Sequence, residues 1–316
     1  MPSVNSCLGL LAAMFLISPA LCSIGDRSYD FQLCLERCHG MNCTAATDVA
    51  SLPAHLRLLL WSCKENCAYE CMHEVTAQDL QSGRKIRQFY GKWPFVRILG
   101  VQEPSSALFS VLNGVANAYG YLSFKRRCPS NYPYLVPITV QCLVSLHTWF
   151  WSTVFHCRDT YWTERLDYFC ASAMIVSGLV LQFIRITGPS ATLWHCLYIL
   201  LWAVLFLAHV SYLTLYKFDY GYNMAASILA GALYTAIWLL WCWRHWAKRR
   251  YLWKCCAVVL GTTSLLLLEL LDFPPLWWAF DAHSLWHLFT APLPLLWYSF
   301  LLDDANYEIR GPKKSV

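Results

Sequence analysis

The sequence predicts an all-α membrane protein: a seven-transmembrane helix bundle with a small cysteine-rich luminal N-terminal domain. Three observations carry this. Of 316 residues, 57% are hydrophobic and only 14% charged, against about 45–50% and about 25% in ordinary soluble domains. Beyond residue 95 the chain is a succession of apolar stretches, each long enough to cross a hydrocarbon core of ~30 Å as a helix. Ahead of them lies a more polar segment with six of the sixteen cysteines. This composition excludes a disordered chain, a coiled coil and a collagen-like fibre, and it speaks against a soluble enzyme. The net charge of +5 is modest and forms no long basic stripe, so no nucleic acid is expected as partner.

The chain opens with an apolar stretch from Cys7 to Leu21, interrupted at Ser18 and Pro19. Ala20 and Cys22 supply small residues ahead of a cleavage site before Ser23. The pattern predicts a signal peptide over 1–22, with a retained signal anchor as the competing reading. Either one delivers the cysteine-rich domain, 23–95, to the lumen. There Cys34, Cys38 and Cys43 are followed by Cys63, Cys67 and Cys71. An even number in a short luminal segment predicts disulfides. Zinc is the rival, but C-x3-C spacing without partnering His fits it poorly. Six cysteines allow fifteen pairings, and spacing does not choose among them. Asn42-Cys43-Thr44 is a glycosylation sequon.

The bundle, 96–302, reads as seven spans at about 105–124, 134–156, 167–186, 191–214, 222–243, 252–271 and 281–301, with 303–316 as a cytosolic tail. Polar backbone must not face lipid, so helices are the natural spanning form. Lys125, Arg126 and Arg127 follow the first span. Arg244, Lys248, Arg249 and Arg250 follow the fifth, and Lys313 and Lys314 lie in the tail. Alternate loops carry fewer cations. The positive-inside rule therefore puts the N-terminus in the lumen and the tail in the cytosol.

Ionisable side chains inside spans are costly, so each is a functional candidate. Ser152 and His156 are four apart, on one face of the second span near its luminal end. Asp167 opens the third span in the lumen. His283 and His287, again four apart, open the seventh. The topology rests on Lys and Arg alone, so the shared level of these residues is an independent agreement. An i, i+4 pair offers two imidazoles to zinc, and three His with one Asp predict a three-ligand zinc site with one open position. Separate interfacial histidines bonded to helix backbone are the competing reading. His147, His209 and Glu269 read as structural and His195 as interfacial. Asp219 reads equally as a helix cap or a substrate contact.

The stretches QFYGKWPF (88–95), QEPSS (102–106), FWSTVFH (150–156), ERLDYFCA (164–171), FDYGYN (218–223) and LLELLDFPPLWWAFDAHSLWH (267–287) closely resemble the post-GPI-attachment-to-proteins factor 3 family, the GPI-specific phospholipases A2 of lipid remodelling. The resemblance covers nearly the whole mature chain. Tyr90 departs from it, since relatives carry His before the GKWPF run, and Tyr90 is left out of the site. The family stands among seven-helix hydrolases that include the alkaline ceramidases and resemble the adiponectin receptors. Their shared pattern is Ser-x3-His, a downstream Asp, and His-x3-His in the last helix. Here it falls on Ser152, His156, Asp167, His283 and His287.

The resemblance implies that the three His bind zinc. Asp167 would assist proton transfer or orient the water. Ser152 would orient the water or hydrogen-bond the ester oxyanion. The implied reaction removes the unsaturated sn-2 acyl chain from the phosphatidylinositol of GPI-anchored proteins by a zinc-activated water, leaving lyso-GPI. No G-x-S-x-G elbow surrounds Ser152, which speaks against a serine acyl-enzyme. GPI-anchored proteins and membrane lipid are the implied partners, and the Golgi membrane is the implied location. The ending Lys313-Lys314-Ser315-Val316 fits a dilysine signal for cycling to the endoplasmic reticulum, or equally a basic tail at the membrane surface. The competing functions are a ceramidase-like hydrolase, a non-catalytic seven-helix receptor, and a cargo chaperone for GPI-anchored proteins.

Overall fold

The computed structural model describes residues 23–43 and 52–310. The expected signal peptide, Thr44 of the sequon, the Glu269 side chain and the Lys313-Lys314 ending lie outside the described residues. Regular structure among the described residues is helical apart from isolated β-bridges.

The cysteine-rich segment is a helical hairpin. It consists of α1 (Tyr29–Asn42), the short α2 (Ala54–Leu58) and α3 (Cys63–Gln81). Cys34 and Cys38, four apart, share one face of α1, with Cys43 just after its end, and Cys63, Cys67 and Cys71, again four apart, share one face of α3. Running the two helices antiparallel nests the pairs: Cys34–Cys71, Cys38–Cys67 and Cys43–Cys63, with Cα separations of 5.7, 5.8 and 5.7 Å. The hairpin geometry thus makes the choice that spacing leaves open. The half-cystines pack with Phe31, Leu35, Val75 and Phe89 in a core of their own. A core this small relies on crosslinks. A capping box starts α3: Ser62 Oγ accepts from the Glu65 N–H, and the Glu65 carboxylate accepts from the Ser62 N–H. Asn42 is exposed at the end of α1.

Eight helices follow: α4 (Pro104–Arg127), α5 (Leu135–Cys157), α6 (Tyr161–Thr187), α7 (Thr192–Ser211), α8 (Tyr220–His245), α9 (Leu252–Leu271), α10 (Ala282–Thr290) and α11 (Leu293–Arg310). A π-turn, Tyr212–Tyr216, continues α7. They close a ring in the order α4, α5, α6, α8, α9, then α10 and α11 back onto α4, with α7 outside against α6. Among the described residues, four runs are long and apolar enough to cross a membrane: Tyr161–Thr187, Thr192–Tyr216, Tyr220–His245 and Ala282–Arg310. Helix packing brings α4 very close to α11 at Gly120, where an added Cβ would stand 2.6 Å from Tyr298 Cδ2.

The last element differs from its sequence expectation. Its helix breaks at Pro292, which has no N–H to donate and whose ring obstructs the preceding turn. It then runs on to Arg310, beyond the expected end at 301. Asp303, Asp304 and Glu308 look like a solvated tail in sequence. In the structure Asp304 is fully buried. It accepts from Arg185 at 2.8 Å, Tyr251 at 2.8 Å and Tyr132 at 3.1 Å, and Arg249 reaches it at 3.2 Å. Lys254 pairs with Asp303 at 2.6 Å. This network ties α6, α9 and α11 to the loops before α5 and α9 at the end of the bundle that carries the basic loops.

Candidate metal centre

The opposite end of the ring holds the three histidines. His156 sits in the last turn of α5, and His283 and His287 lie one turn apart on α10. Asp281 starts α10 by accepting from the Ser284 N–H at 2.8 Å. The imidazoles meet through their Nε2 atoms. The separations are 3.2 Å for His156–His287, 3.3 Å for His156–His283 and 2.9 Å for His283–His287.

These residues fit zinc. Ligands about 2.05 Å from a tetrahedral zinc lie about 3.3 Å from one another, which is close to the spacing found. The tautomer agrees. A carboxylate can only accept, and Glu103 Oε2 lies 2.7 Å from His156 Nδ1, so Nδ1 carries the proton and Nε2 presents its lone pair. His156 and His287 are buried, and His287 Nδ1 has no hydrogen-bond partner. No acid stands among the three ligand nitrogens. The other close group of ligating atoms among the described residues, Cys43, Cys63 and Cys67, is consumed by the disulfides.

Sequence reasoning misses Glu103. It is the residue before α4, and its N–H donates to the His156 carbonyl at 3.0 Å. Its second carboxylate oxygen meets Lys92, whose Nζ is also 3.0 Å from Asp159. Burial pushes the Glu103 carboxyl up, but the Lys92 ammonium and then His156 hold it well below the usual carboxylate range. Burial likewise pushes Lys92 down, and Glu103 and Asp159 more than reverse this. The result is a chain of contacts, Asp159–Lys92–Glu103–His156.

A polar face of α4 is missed too. Ser106, Ser110, Asn113 and Asn117 are all buried, at spacings of three to four residues that place them on one side of the helix. That period inside an apolar stretch was the available signal. Ser110 Oγ is 3.0 Å from Ser152 Oγ and donates to the Ser106 carbonyl at 2.8 Å. Asn113 Nδ2 donates to the His287 carbonyl at 2.7 Å, while Asn113 Oδ1 and Ser106 Oγ are buried without partners. Ser152 is therefore joined to α4 one turn before His156.

Asp167, half-buried on α6, interacts electrostatically with His156 and His283. It stands outside the group whose ligand atoms all lie within 4.8 Å of one another. Three more of the singled-out polar residues have local partners. His209 lies 3.2 Å from Asn223 Oδ1, His195 lies 2.9 Å from Thr187 Oγ1, and Asp219 caps α8 by accepting from the Tyr222 N–H at 3.0 Å.

The Per1-like family matches residues 53–305. A Danio rerio protein named GPI-specific phospholipase A2-like PGAP3 is 44% identical over 311 residues, covering 97% of this chain and 98% of its own. The Homo sapiens protein of that name is 40% identical over 311 residues, covering 96% and 97%. The Schizosaccharomyces pombe Protein PER1 homolog is 36% identical over 312 residues, covering 95% and 92%. No solved structure matches the chain. A match that spans the hairpin's second half and the whole bundle, with relatives aligned nearly end to end, establishes that this chain belongs to the Per1-like family.

Proposed function

We propose that this chain acts in GPI-anchor lipid remodelling by hydrolysing the sn-2 acyl ester of the phosphatidylinositol of GPI-anchored proteins, which leaves lyso-GPI. The observation that carries this is the convergence of His156, His283 and His287, in a chain whose relatives are named for that activity. In this reading α4 to α9 and the α10–α11 run are seven spans. The hairpin and the histidines face the lumen, because the basic loops lie at the other end. A signal peptide over 1–22, a glycan on Asn42, and Golgi residence with cycling to the endoplasmic reticulum complete it.

His156, His283 and His287 would hold the zinc. A zinc ion held there would supply Lewis acidity toward the ester carbonyl and the attacking water. Glu103 keeps His156 in the tautomer that presents Nε2. The Asp167 carboxylate accepts the proton of the attacking water and returns it to the departing glycerol oxygen. Ser152 Oγ–H, turned from Ser110, donates to the oxyanion as the carbonyl carbon becomes tetrahedral.

The test is acyl release from a diacyl GPI-anchored substrate by purified full-length protein in nanodiscs. Wild type is run beside His287→Ala, with a ceramide arm and products read by mass spectrometry. Free sn-2 fatty acid from wild type alone is expected. No release by folded, zinc-loaded wild type would refute the proposal in favour of a non-catalytic receptor or chaperone, and preferential cleavage of ceramide would reassign the substrate.

A further inference from the structure

A cavity of about 550 Å³ lies between the cysteine-rich hairpin and the mouth of the bundle. That is within the ~300–1,000 Å³ of small-ligand sites. Both parts of the chain line it: Trp61 and Tyr69 from the hairpin side, Trp93 and Arg97 from the connecting strap, and Arg158 and Tyr161 from the bundle.

Arg97 is the anomaly in its wall. Its guanidinium carbon lies 3.4 Å from the centre of the Trp61 ring and 4.0 Å from that of Tyr69. Arg158 lies over the same indole at 3.7 Å, so two like charges share one ring system. Arg158 has Glu65 as counter-ion. Arg97 makes no ion pair among the described residues, and its Nε and NH1 are buried without a hydrogen-bond partner. Arg158 Nε is also buried and unpartnered. Burial, reinforced by Arg158, pushes the Arg97 guanidinium down to about 10. Arg97 is half-buried, and a partly desolvated cation with unmet donors costs stability unless an anion completes it. The guanidinium fork matches the oxygens of a phosphate, and the more open rings of Trp93 and Tyr161, also in the lining, suit a sugar or inositol ring.

The cavity also adjoins the metal centre. Lys92 and Asp159 belong both to its lining and to the chain of contacts that ends at His156. We infer that this cavity is the subsite for a phosphorylated inositol–glycan headgroup, with Arg97 and Arg158 on the phosphodiester and the aromatic rings on the sugar. The inference rests on the lipid-hydrolase reading above and adds where the headgroup is held.

The probe is an acyl-free glycerophosphoinositol–glucosamine, titrated calorimetrically into full-length protein in detergent. Its unphosphorylated analogue, inositol phosphate and inorganic phosphate are titrated in parallel. The phosphorylated glycan is expected to bind at least tenfold more tightly than any of the other three. Arg97→Gln is expected to weaken it at least tenfold. Lys64→Glu, at the exposed rim of the cavity, is expected to weaken it about threefold or more, and it keeps the test open if the Arg97 variant does not fold. No binding by wild type, binding indifferent to both substitutions, or equal affinity for inorganic phosphate would overturn the assignment. The readout needs no turnover, so failure here and failure of acyl release are separate results.

Discussion

Glu103→Gln removes one negative charge and almost no volume from beside His156. The side chain is buried, with one oxygen 2.7 Å from His156 Nδ1 and the other on Lys92. A glutamine has one accepting and one donating end, so it cannot accept from both partners as the carboxylate does. Lys92 can fall back on Asp159, 3.0 Å away, which leaves the amide carbonyl for His156. The tautomer then survives, but the bond loses the charge assistance that makes it roughly twice as strong as a neutral one. Loss of such an outer partner lowers metal affinity about 10–100-fold, or about 1.4–2.8 kcal/mol. The assay is a competitive zinc titration against a fluorescent chelator, beside acyl release at limiting and saturating zinc. The zinc Kd is expected to rise about 10–100-fold, and the activity lost at limiting zinc to return largely at saturation. A zinc affinity equal to wild type would refute the argument that Glu103 acts through His156.

Three other substitutions have separate outcomes. Ser152→Ala is expected to slow acyl release about 10²–10³-fold if the hydroxyl serves the oxyanion, and an acyl group located on Ser152 of wild type by mass spectrometry would overturn that role. Paired Cys43→Ser and Cys63→Ser open a disulfide with a sequence separation of 20. This is expected to cost the hairpin about 3 kcal/mol in denaturant unfolding under non-reducing conditions, and an unchanged midpoint would mean that docking on the bundle holds the hairpin instead. Asp304→Asn leaves Arg185 and Arg249 without their shared buried anion and is expected to cost about 3–5 kcal/mol. Thermal unfolding in detergent reads it, and a transition at the wild-type temperature would show the network to be dispensable.

The histidine cluster was legible because two independent signals converge on it. The i, i+4 spacing of His283 and His287 fixes their common face, and Lys and Arg in the loops fix which ends of α5 and α10 are neighbours. Glu103 was not legible, because its role depends on a contact between residues far apart in sequence, its own N–H on the carbonyl of His156. Spacing gave the faces of the cysteines in α1 and α3. The antiparallel run of the two helices, a tertiary fact, supplied the pairing. The extent of α11 was hidden for the same reason. Asp304 looks like solvated tail until Arg185, Arg249, Tyr132 and Tyr251 are brought around it.

Both ends of the bundle pair buried charge, Lys92 with Glu103 and Asp159 at the hairpin end, but the hairpin end also leaves two groups incomplete. At the basic end, Arg185, Arg249 and Lys254 all have carboxylates in Asp303, Asp304 and Glu308. Breaking such pairs destabilises the fold, because it leaves a buried charge uncompensated. At the hairpin end, three imidazole nitrogens face one another with no acid among them, and the Arg97 guanidinium keeps buried donors unpaired. A purely structural arrangement has no use for either, since the same chain shows at Asp304 how it pairs a cation fully. Three imidazole nitrogens gathered around a point would take a cation, and a guanidinium with unmet donors would take an anion. Zinc and a phosphorylated headgroup would satisfy both, and Lys92 and Glu103 join the two positions. A lipid held by its headgroup in the cavity would thus bring its ester toward the histidines from the hairpin side, which would make the hairpin part of the active site and not merely a cover over it.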